Sequence, residues 1–282
     1  MDDTWQLRVH PARTGPGAPV LVYLPGLHGD WTLAGPFRAA LAGQATFAEF
    51  TYARSLAASL ADYARAVIGL LREHRIERGW LLAESFGSQV AWAILADPTP
   101  GFVVEGVILA GGFVRYYSPG LVRFGRRTLT RMPPARLQRA LRLYARAVRW
   151  LRHRSRAFAA DLEEFLARRT EPDKLAAAHR LGLIAAADWR PLVRQLRLPV
   201  FHLAGFFDPI VPPWPVRRWL RRHCPGFGGA RLIMASDHNV LGSAPRSAVA
   251  QVLAWVAAHP GCDGANPHIS HADQSERPPP GS

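Results

Sequence analysis

The run Trp80-Leu81-Leu82-Ala83-Glu84-Ser85-Phe86-Gly87-Ser88-Gln89-Val90 carries the most chemistry in the chain. An apolar strand pattern ends at a serine, and a helical pattern begins directly after it. A serine on such a sharp strand-to-helix turn is forced into a strained backbone conformation that lifts its hydroxyl clear of the sheet. The residues two positions to either side must be small, because strand and helix nearly touch there, and Ala83 and Gly87 meet that demand. The turn also aims the first amides of the helix at negative charge developing on a substrate oxygen. The chemistry this predicts is attack of the Ser85 hydroxyl on a carbonyl. A small-x-Ser-x-Gly string arises by chance in a chain rich in alanine and glycine; the strand before it and the helix after it give it weight.

The elements that must hold this turn alternate between short apolar runs and helical patterns, which predicts an α/β fold with a mostly parallel sheet flanked by helices. Strand patterns occupy Val20–Leu24, Thr46–Tyr52, Trp80–Leu82, Val104–Leu109, Val200–Ala204 and Arg231–Met234. Helical spacing links Leu56, Leu60, Tyr63, Val67, Leu70 and Leu71, with further helices at Val90–Leu95, Trp214–Arg222 and Ser247–His259. From about Gly112 to Arg190 the rhythm stops and only helices are expected. Ser118-Pro119-Gly120, Pro133-Pro134 and Thr170-Glu171-Pro172 punctuate them, and Leu137, Leu141, Tyr144, Val148 and Leu151 form one apolar stripe. Thr170 with Asp173 has the spacing of a capping box. The expected organisation is a core in two parts, residues 1–112 and 191–259, with an all-helical, arginine-rich insertion at 113–190. The tail, 260–282, is too rich in Gly, Pro, Ser and Asp to offset its ordering entropy and is expected to be disordered.

On these residues the chain resembles the α/β-hydrolase superfamily, among its serine hydrolases with a helical cap. Val200-Phe201-His202-Leu203-Ala204-Gly205-Phe206-Phe207-Asp208-Pro209-Ile210-Val211-Pro212 matches that family's strand-Gly-x-x-Asp-x-x-Val-Pro pattern. The family order of serine, acid, histidine implies Asp208 as the acid and His238, in the loop after Arg231–Met234, as the base. Asp237 is the runner-up acid, although adjacent side chains rarely make the carboxylate–imidazole contact. The resemblance also implies an oxyanion hole of two backbone amides, those of Phe86 and of Leu27 in the loop Leu24-Pro25-Gly26-Leu27-His28-Gly29-Asp30-Trp31. Ala83 stands where the family usually has glycine, and the triple-glycine loop of one lipase and esterase branch is absent, which argues against that branch. The likeness covers residues 18–112 and 195–258, not the insertion, a part that varies across the superfamily and sets specificity.

The implied mechanism is acyl transfer through an acyl-serine, with no metal and no organic cofactor. His28, Phe113, Phe206, Phe207 and Trp214 fall near the active turns and are pocket candidates for an apolar acyl group. Core packing is the competing reading for each aromatic, and loop shaping for His28. His202, inside a strand pattern, reads as a satisfied core histidine. The expected substrate is a small carboxylic ester or thioester, making the protein an enzyme of the carboxylesterase or thioesterase type. Acyltransfer and carbon–carbon bond hydrolysis stay open on the same scaffold. A third alternative is a non-catalytic protein whose basic helices bind an anionic membrane or polyanion.

The charge bears on that third reading. The formal net charge is +14, and the stretch between Glu105 and Asp161 holds thirteen arginines and no acidic residue. A GC-rich coding bias explains arginine in place of lysine but not the missing acids. A solvated basic face is the plain reading; an anionic membrane or a negatively charged substrate end is the alternative. Nucleic acid is not expected, because no recognition motif accompanies the arginines, and Tyr116, Tyr117, Tyr144 and Trp150 suit helix packing as well as base stacking. With 49% hydrophobic and 20% charged residues in a chain of 282, a sizeable core is affordable and global disorder is excluded. No window approaches the ~18–20 apolar residues of a spanning helix, and Met1-Asp2-Asp3 leads to no apolar signal region. Cys224 and Cys262 make no disulfide framework, and His259, Cys262, His268 and His271 lack structural zinc spacing. The expected setting is cytoplasmic, with peripheral contact at the inner membrane face as an option.

Overall fold

The computed structural model describes residues 4–97, 101–143 and 163–259, apart from Thr14, Pro16, Pro134 and Leu141. Seven strands, β1 (Gln6–His10), β2 (Val20–Leu24), β3 (Thr46–Thr51), β4 (Arg78–Glu84), β5 (Val103–Ala110), β6 (Val200–Gly205) and β7 (Phe227–Ile233), form one sheet in the order β1-β3-β2-β4-β5-β6-β7. Only β1 runs antiparallel, on the edge against β3. The helices are α1 (Gly35–Leu41), α2 (Leu60–Glu73), α3 (Gly87–Ala96), α4 (Pro119–Arg131), α5 (Glu171–Ala186), α6 (Arg190–Val193), α7 (Pro213–His223), α8 (Val240–Ser243) and α9 (Pro245–Ala258). Further helical residues lie at 135–140 and 163–167.

The central strands are apolar on consecutive residues because both sheet faces are covered. Val22, Leu24, Leu81, Ala83, Val107 and Leu109 face Tyr63, Val67 and Leu71 of α2 and Val90 and Trp92 of α3. The alternate residues Leu21, Tyr23, Trp80, Leu82, Ile108 and Leu203 face Phe37 and Leu41 of α1 and Val249, Val252 and Val256 of α9. Strand alternation thus divides one sheet into two cores.

Several boundaries differ from the sequence expectation for identifiable reasons. β1 escaped notice because its residues are only half-buried, as suits an edge, and α1 because it is short and opens on Gly35-Pro36. α2 starts at Leu60 rather than Leu56, since the Asp62 carboxylate accepts from Ser59 N (2.8 Å) and the Ser59 hydroxyl accepts from Asp62 N (3.2 Å). That capping box sets the start, and Leu56 is left 56% exposed outside the helix. β7 begins at Phe227, before the expected Arg231. Its Gly228 looks like a turn residue, but a Cβ there would lie 2.5 Å from the Phe201 ring, so glycine lets β7 pass under that ring.

The connection from β5 to β6 carries α4 packed on α5 and, among the described residues, no strand. Asp173 accepts from Thr170 N (2.9 Å) and from the Thr170 hydroxyl at the start of α5, where the capping box was expected. Of the apolar stripe only Leu137 is described; Leu141, Tyr144, Val148 and Leu151 lie outside the described residues, as does the chain from Pro260 onward. No described helix is long and apolar enough to cross a membrane.

Candidate active site

Ligand sites of open parallel sheets form beyond the carboxyl ends of the strands, and the chemistry-bearing residues gather there. Ser85 follows β4, Asp208 follows β6 and His238 follows β7. Ser85 has φ +48°, a left-handed conformation that costs a non-glycine residue roughly 1–2 kcal/mol. Its surroundings enforce that angle. Ser85 N donates to Ala110 O (3.1 Å), and the Ser88 hydroxyl donates to Ser85 O (2.6 Å). A Cβ at Gly87 would lie 2.1 Å from Leu24 O, so the helix can start this close to β2 only with glycine there.

His238 joins the other two residues. Its Nε2 lies 2.9 Å from Ser85 Oγ, and its Nδ1 lies 2.7 Å from Asp208 Oδ2. The second oxygen, Asp208 Oδ1, accepts from Ile210 N (2.9 Å) and Val211 N (2.8 Å), and the carboxylate is fully buried. A carboxylate only accepts, so Nδ1 carries the ring proton and Nε2 presents a lone pair to the Ser85 hydroxyl. Such an arrangement can take the hydroxyl proton as the oxygen attacks. Asp237 is not on the imidazole, whose Nδ1 is taken by Asp208.

Ser85 opens onto a cavity of about 380 Å³. Leu27, His28 and Leu33 come from the loop after β2, and Phe113 and Tyr116 from the chain after β5. Leu121, Val122 and Gly125 come from α4, Leu181 and Ile184 from α5, and Ile210 and Val211 from the Asp208 turn. The wall is mostly apolar. Its carboxylate is Glu84, 3% exposed, which accepts from the Tyr23 hydroxyl. Burial pushes the His28 imidazole below its ordinary range, and its buried Nε2 has no hydrogen-bond partner among the described residues. No cluster of three or more potential metal ligands occurs among the described residues.

The alpha/beta hydrolase family model matches residues 6–252. The chain belongs to the alpha/beta hydrolase family. No curated protein matches it in sequence. Among solved structures, an esterase from Rhodococcus sp. ECU1013 is 20% identical with a TM-score of 0.72, over 90% of this chain and 95% of that one. The enol-lactonase from Burkholderia xenovorans LB400 is 19% identical, TM-score 0.70, over 90% and 96%. A bromoperoxidase from Bacillus anthracis is 15% identical, TM-score 0.69, over 90% and 95%. At these identities the likeness is one of fold.

Within this alpha/beta hydrolase the residues singled out from sequence separate into two groups. Ser85, Asp208 and His238 meet, and Leu27, His28 and Phe113 line the cavity. The ring of Phe86 does not; it is buried against Tyr52 and Tyr63, so Phe86 can reach the site only through its backbone. Phe206, Phe207 and Trp214 are off the cavity wall. They pack on one another at ring distances of 5.0 and 5.7 Å, with Phe207 and Trp214 66% and 51% exposed, because the chain swings outward after Gly205. His202 is a core histidine, but neither ring nitrogen has a hydrogen-bond partner among the described residues, and burial pushes its pKa down to about 4. Sequence reasoning passed over Glu84, Tyr116 and the α4 and α5 residues of the wall. The signal for Glu84 was an acid at an inward strand position beside the serine; for α4 it was Val122 and Gly125 on the buried side of an arginine-rich helix.

Proposed function

We propose that this alpha/beta hydrolase is a serine hydrolase that cleaves a small carboxylic ester or thioester. The observation that carries the reading is the hydrogen-bonded series Asp208–His238–Ser85 opening onto an apolar cavity. His238 Nε2 takes the Ser85 proton as Oγ attacks the carbonyl, and Asp208 holds the ring in the required tautomer and stabilises its charged form. The amides of Leu27 and Phe86 receive the oxyanion, each donor contributing on the order of 3 kcal/mol to lowering the barrier. The protonated His238 hands its proton to the leaving alcohol or thiol, which departs. Water then attacks the acyl-serine by the same steps in reverse roles. The steps move protons and consume water, and call for no metal or organic cofactor.

The cavity narrows the substrate class. Its volume is near the lower end of small-molecule pockets, ~300–1,000 Å³, which favours short and medium acyl groups. No described arginine lines it, and Glu84 faces it, so a neutral acyl chain suits it better than an anionic one. α4 and α5 act as a cap, since they supply the outer wall of the cavity. Release of p-nitrophenol from esters of graded acyl length, together with labelling of Ser85 by a fluorophosphonate probe that is lost in Ser85→Ala, tests the reading. A folded wild-type protein that neither hydrolyses these esters nor takes the label would overturn it.

A further inference from the structure

The loop after β2 is held by two buried arginines that come from the far side of the chain. Arg169 Nη1 donates to His28 O (2.9 Å), and Arg180 Nη1 donates to Leu27 O (3.0 Å). The flanking carbonyls are also occupied: Gly26 O accepts from Gly29 N (3.0 Å), and Gly29 O accepts from Tyr52 N (2.8 Å). Four successive carbonyls, Gly26 to Gly29, are thus fixed. In a planar trans peptide the N–H points opposite the C=O, so each fixed carbonyl fixes the amide of the next residue: Gly26 O, held by Gly29 N, sets the Leu27 N–H, and Leu27 O, held by Arg180, sets that of His28.

The two arginines are built in. Arg169 is 8% exposed and pairs with the buried Asp30, whose Oδ1 accepts from Thr32 N (3.0 Å). Burial alone would raise the Asp30 carboxyl, but Arg169, His28 and Thr32 outweigh it and hold it below the usual carboxylate range. Arg180 is 2% exposed, and its partners are neutral: Leu27 O, the Tyr63 hydroxyl (3.1 Å) and Ala53 O (3.4 Å). Its guanidinium lies flat on Gly29, where a Cβ would come within 2.4 Å of Nη1. Gly29, at φ +80°, is therefore required both by the turn and by the arginine. A buried cation with no carboxylate partner among the described residues is costly to keep. Its contacts tie the loop that carries the Leu27 amide to Tyr52, Ala53 and Tyr63 of the core.

We propose that Arg180, seconded by Arg169, is a positioning residue for the Leu27 amide of the oxyanion hole. The insertion between β5 and β6 would then complete the catalytic loop of the core as well as wall the cavity. This rests on the serine hydrolase reading above. Arg180 does not touch substrate; it acts by packing on Gly29, whose N–H holds Gly26 O in the peptide that carries the Leu27 N–H, and by pinning the Leu27 carbonyl on the other side of that residue. The interaction it protects is stronger in the transition state than in the ground state, so its loss falls on kcat rather than KM.

The test compares Arg180→Met, Arg180→Lys and wild type in kcat and KM on p-nitrophenyl butyrate, and in inhibition by butylboronic acid, whose tetrahedral Ser85 adduct places an oxygen at the oxyanion position. Val252→Ala, in the core on the opposite face of the sheet, serves as a destabilised control. The expected result is a kcat about 10- to 100-fold lower for Arg180→Met with KM within about threefold, and boronate affinity lower by a similar factor. Arg180→Lys, which retains a donor, should fall between, and Val252→Ala should keep wild-type kcat despite its lower melting temperature. An Arg180→Met enzyme with kcat and boronate affinity within about twofold of wild type would overturn the proposal and leave the serine hydrolase reading standing. So would an Arg180→Lys enzyme as impaired as Arg180→Met, or a Val252→Ala control that loses kcat in proportion to its stability. If Arg180→Met fails to fold, the Lys variant alone decides, through whether kcat and boronate affinity fall together. A wild-type protein without esterase activity or Ser85 labelling would instead remove the reading beneath.

Discussion

Replacing Asp208 by asparagine changes one atom and should nearly silence the enzyme without unfolding it. Asp208 Oδ1 accepts two backbone amides, from Ile210 and Val211, at 2.9 and 2.8 Å. In Asp208→Asn the carboxamide oxygen must keep that place, because an NH2 there would face two donors. The NH2 is then turned toward His238 Nδ1, now 2.7 Å away from a donor where it had an acceptor. His238 is forced into the tautomer protonated on Nε2, which cannot receive the Ser85 proton. The loss expected from a wrong tautomer in such a series is about 10⁴-fold in kcat, roughly 5.5 kcal/mol of barrier, with KM little changed. Asp208→Ala removes the acceptor altogether and strands two amides, at about 1–3 kcal/mol each. It should lower the melting temperature by about 5–10 °C, against less than about 2 °C for asparagine. The assay is steady-state hydrolysis of p-nitrophenyl butyrate beside a thermal melt of each variant. An Asn variant keeping more than about a tenth of kcat refutes the tautomer argument, and an Ala variant as stable as Asn refutes the role given to the two amides.

Other perturbations follow from single observations. Ser85→Gly relieves the φ of +48° and should stabilise the fold by about 1 kcal/mol, raising the melting temperature by about 2–4 °C while abolishing fluorophosphonate labelling; an unchanged or lower melting temperature would count against stored strain. His202, with its pKa pushed down to about 4, stays neutral in the folded state while the unfolded chain binds a proton below ~6.5. Wild-type stability should therefore fall by about 2–3 kcal/mol between pH 7.5 and 4.5 from this group, and His202→Leu should flatten that slope in urea unfolding. Gly125 lines the cavity, and a Cβ there meets nothing within 4 Å, so Gly125→Leu should fold, gain ~0.5–1 kcal/mol of helix propensity and shift the preferred ester toward shorter acyl groups. An acyl-length profile identical to wild type would place the acyl group elsewhere.

The sequence was most informative where the backbone leaves least choice. Consecutive apolar residues in β2, β4 and β6 reflect burial on both faces, and the spacing of Ala83, Ser85 and Gly87 reflects a turn that only small flanking residues permit. The family resemblance pointed to Asp208 and His238, each of which lies just beyond a strand end. Side-chain direction was harder. Once the chain leaves β6 the two-residue alternation is lost, so Phe206 and Phe207 look as much like pocket residues as Ile210 and Val211, which do line the cavity. Charged residues hid the rest. The burial of Arg169 and Arg180 has no local signature, since nothing nearby in sequence tells a buried guanidinium from a solvated one. It depends on the loop after β2, some 140 and 153 residues from the two arginines, as that of Glu84 depends on Tyr23, 61 residues away.

The long connection between β5 and β6 also has a consequence during synthesis. From β2 to β5 every new strand docks soon after it is made, but residues 111–199 must emerge before β6 can pair with β5. At about 5–20 residues per second that interval lasts roughly 4–18 s. Throughout it, β5 offers the nascent chain's surroundings an unpaired and strongly apolar margin, Val107, Ile108 and Leu109, of the kind that templates aggregation. Ser85 by then sits in its turn, while Asp208 and His238 have still to be made. On the serine hydrolase proposal the hydroxyl would wait inert, and the cell's exposure would be to a sticky edge rather than to a premature enzyme.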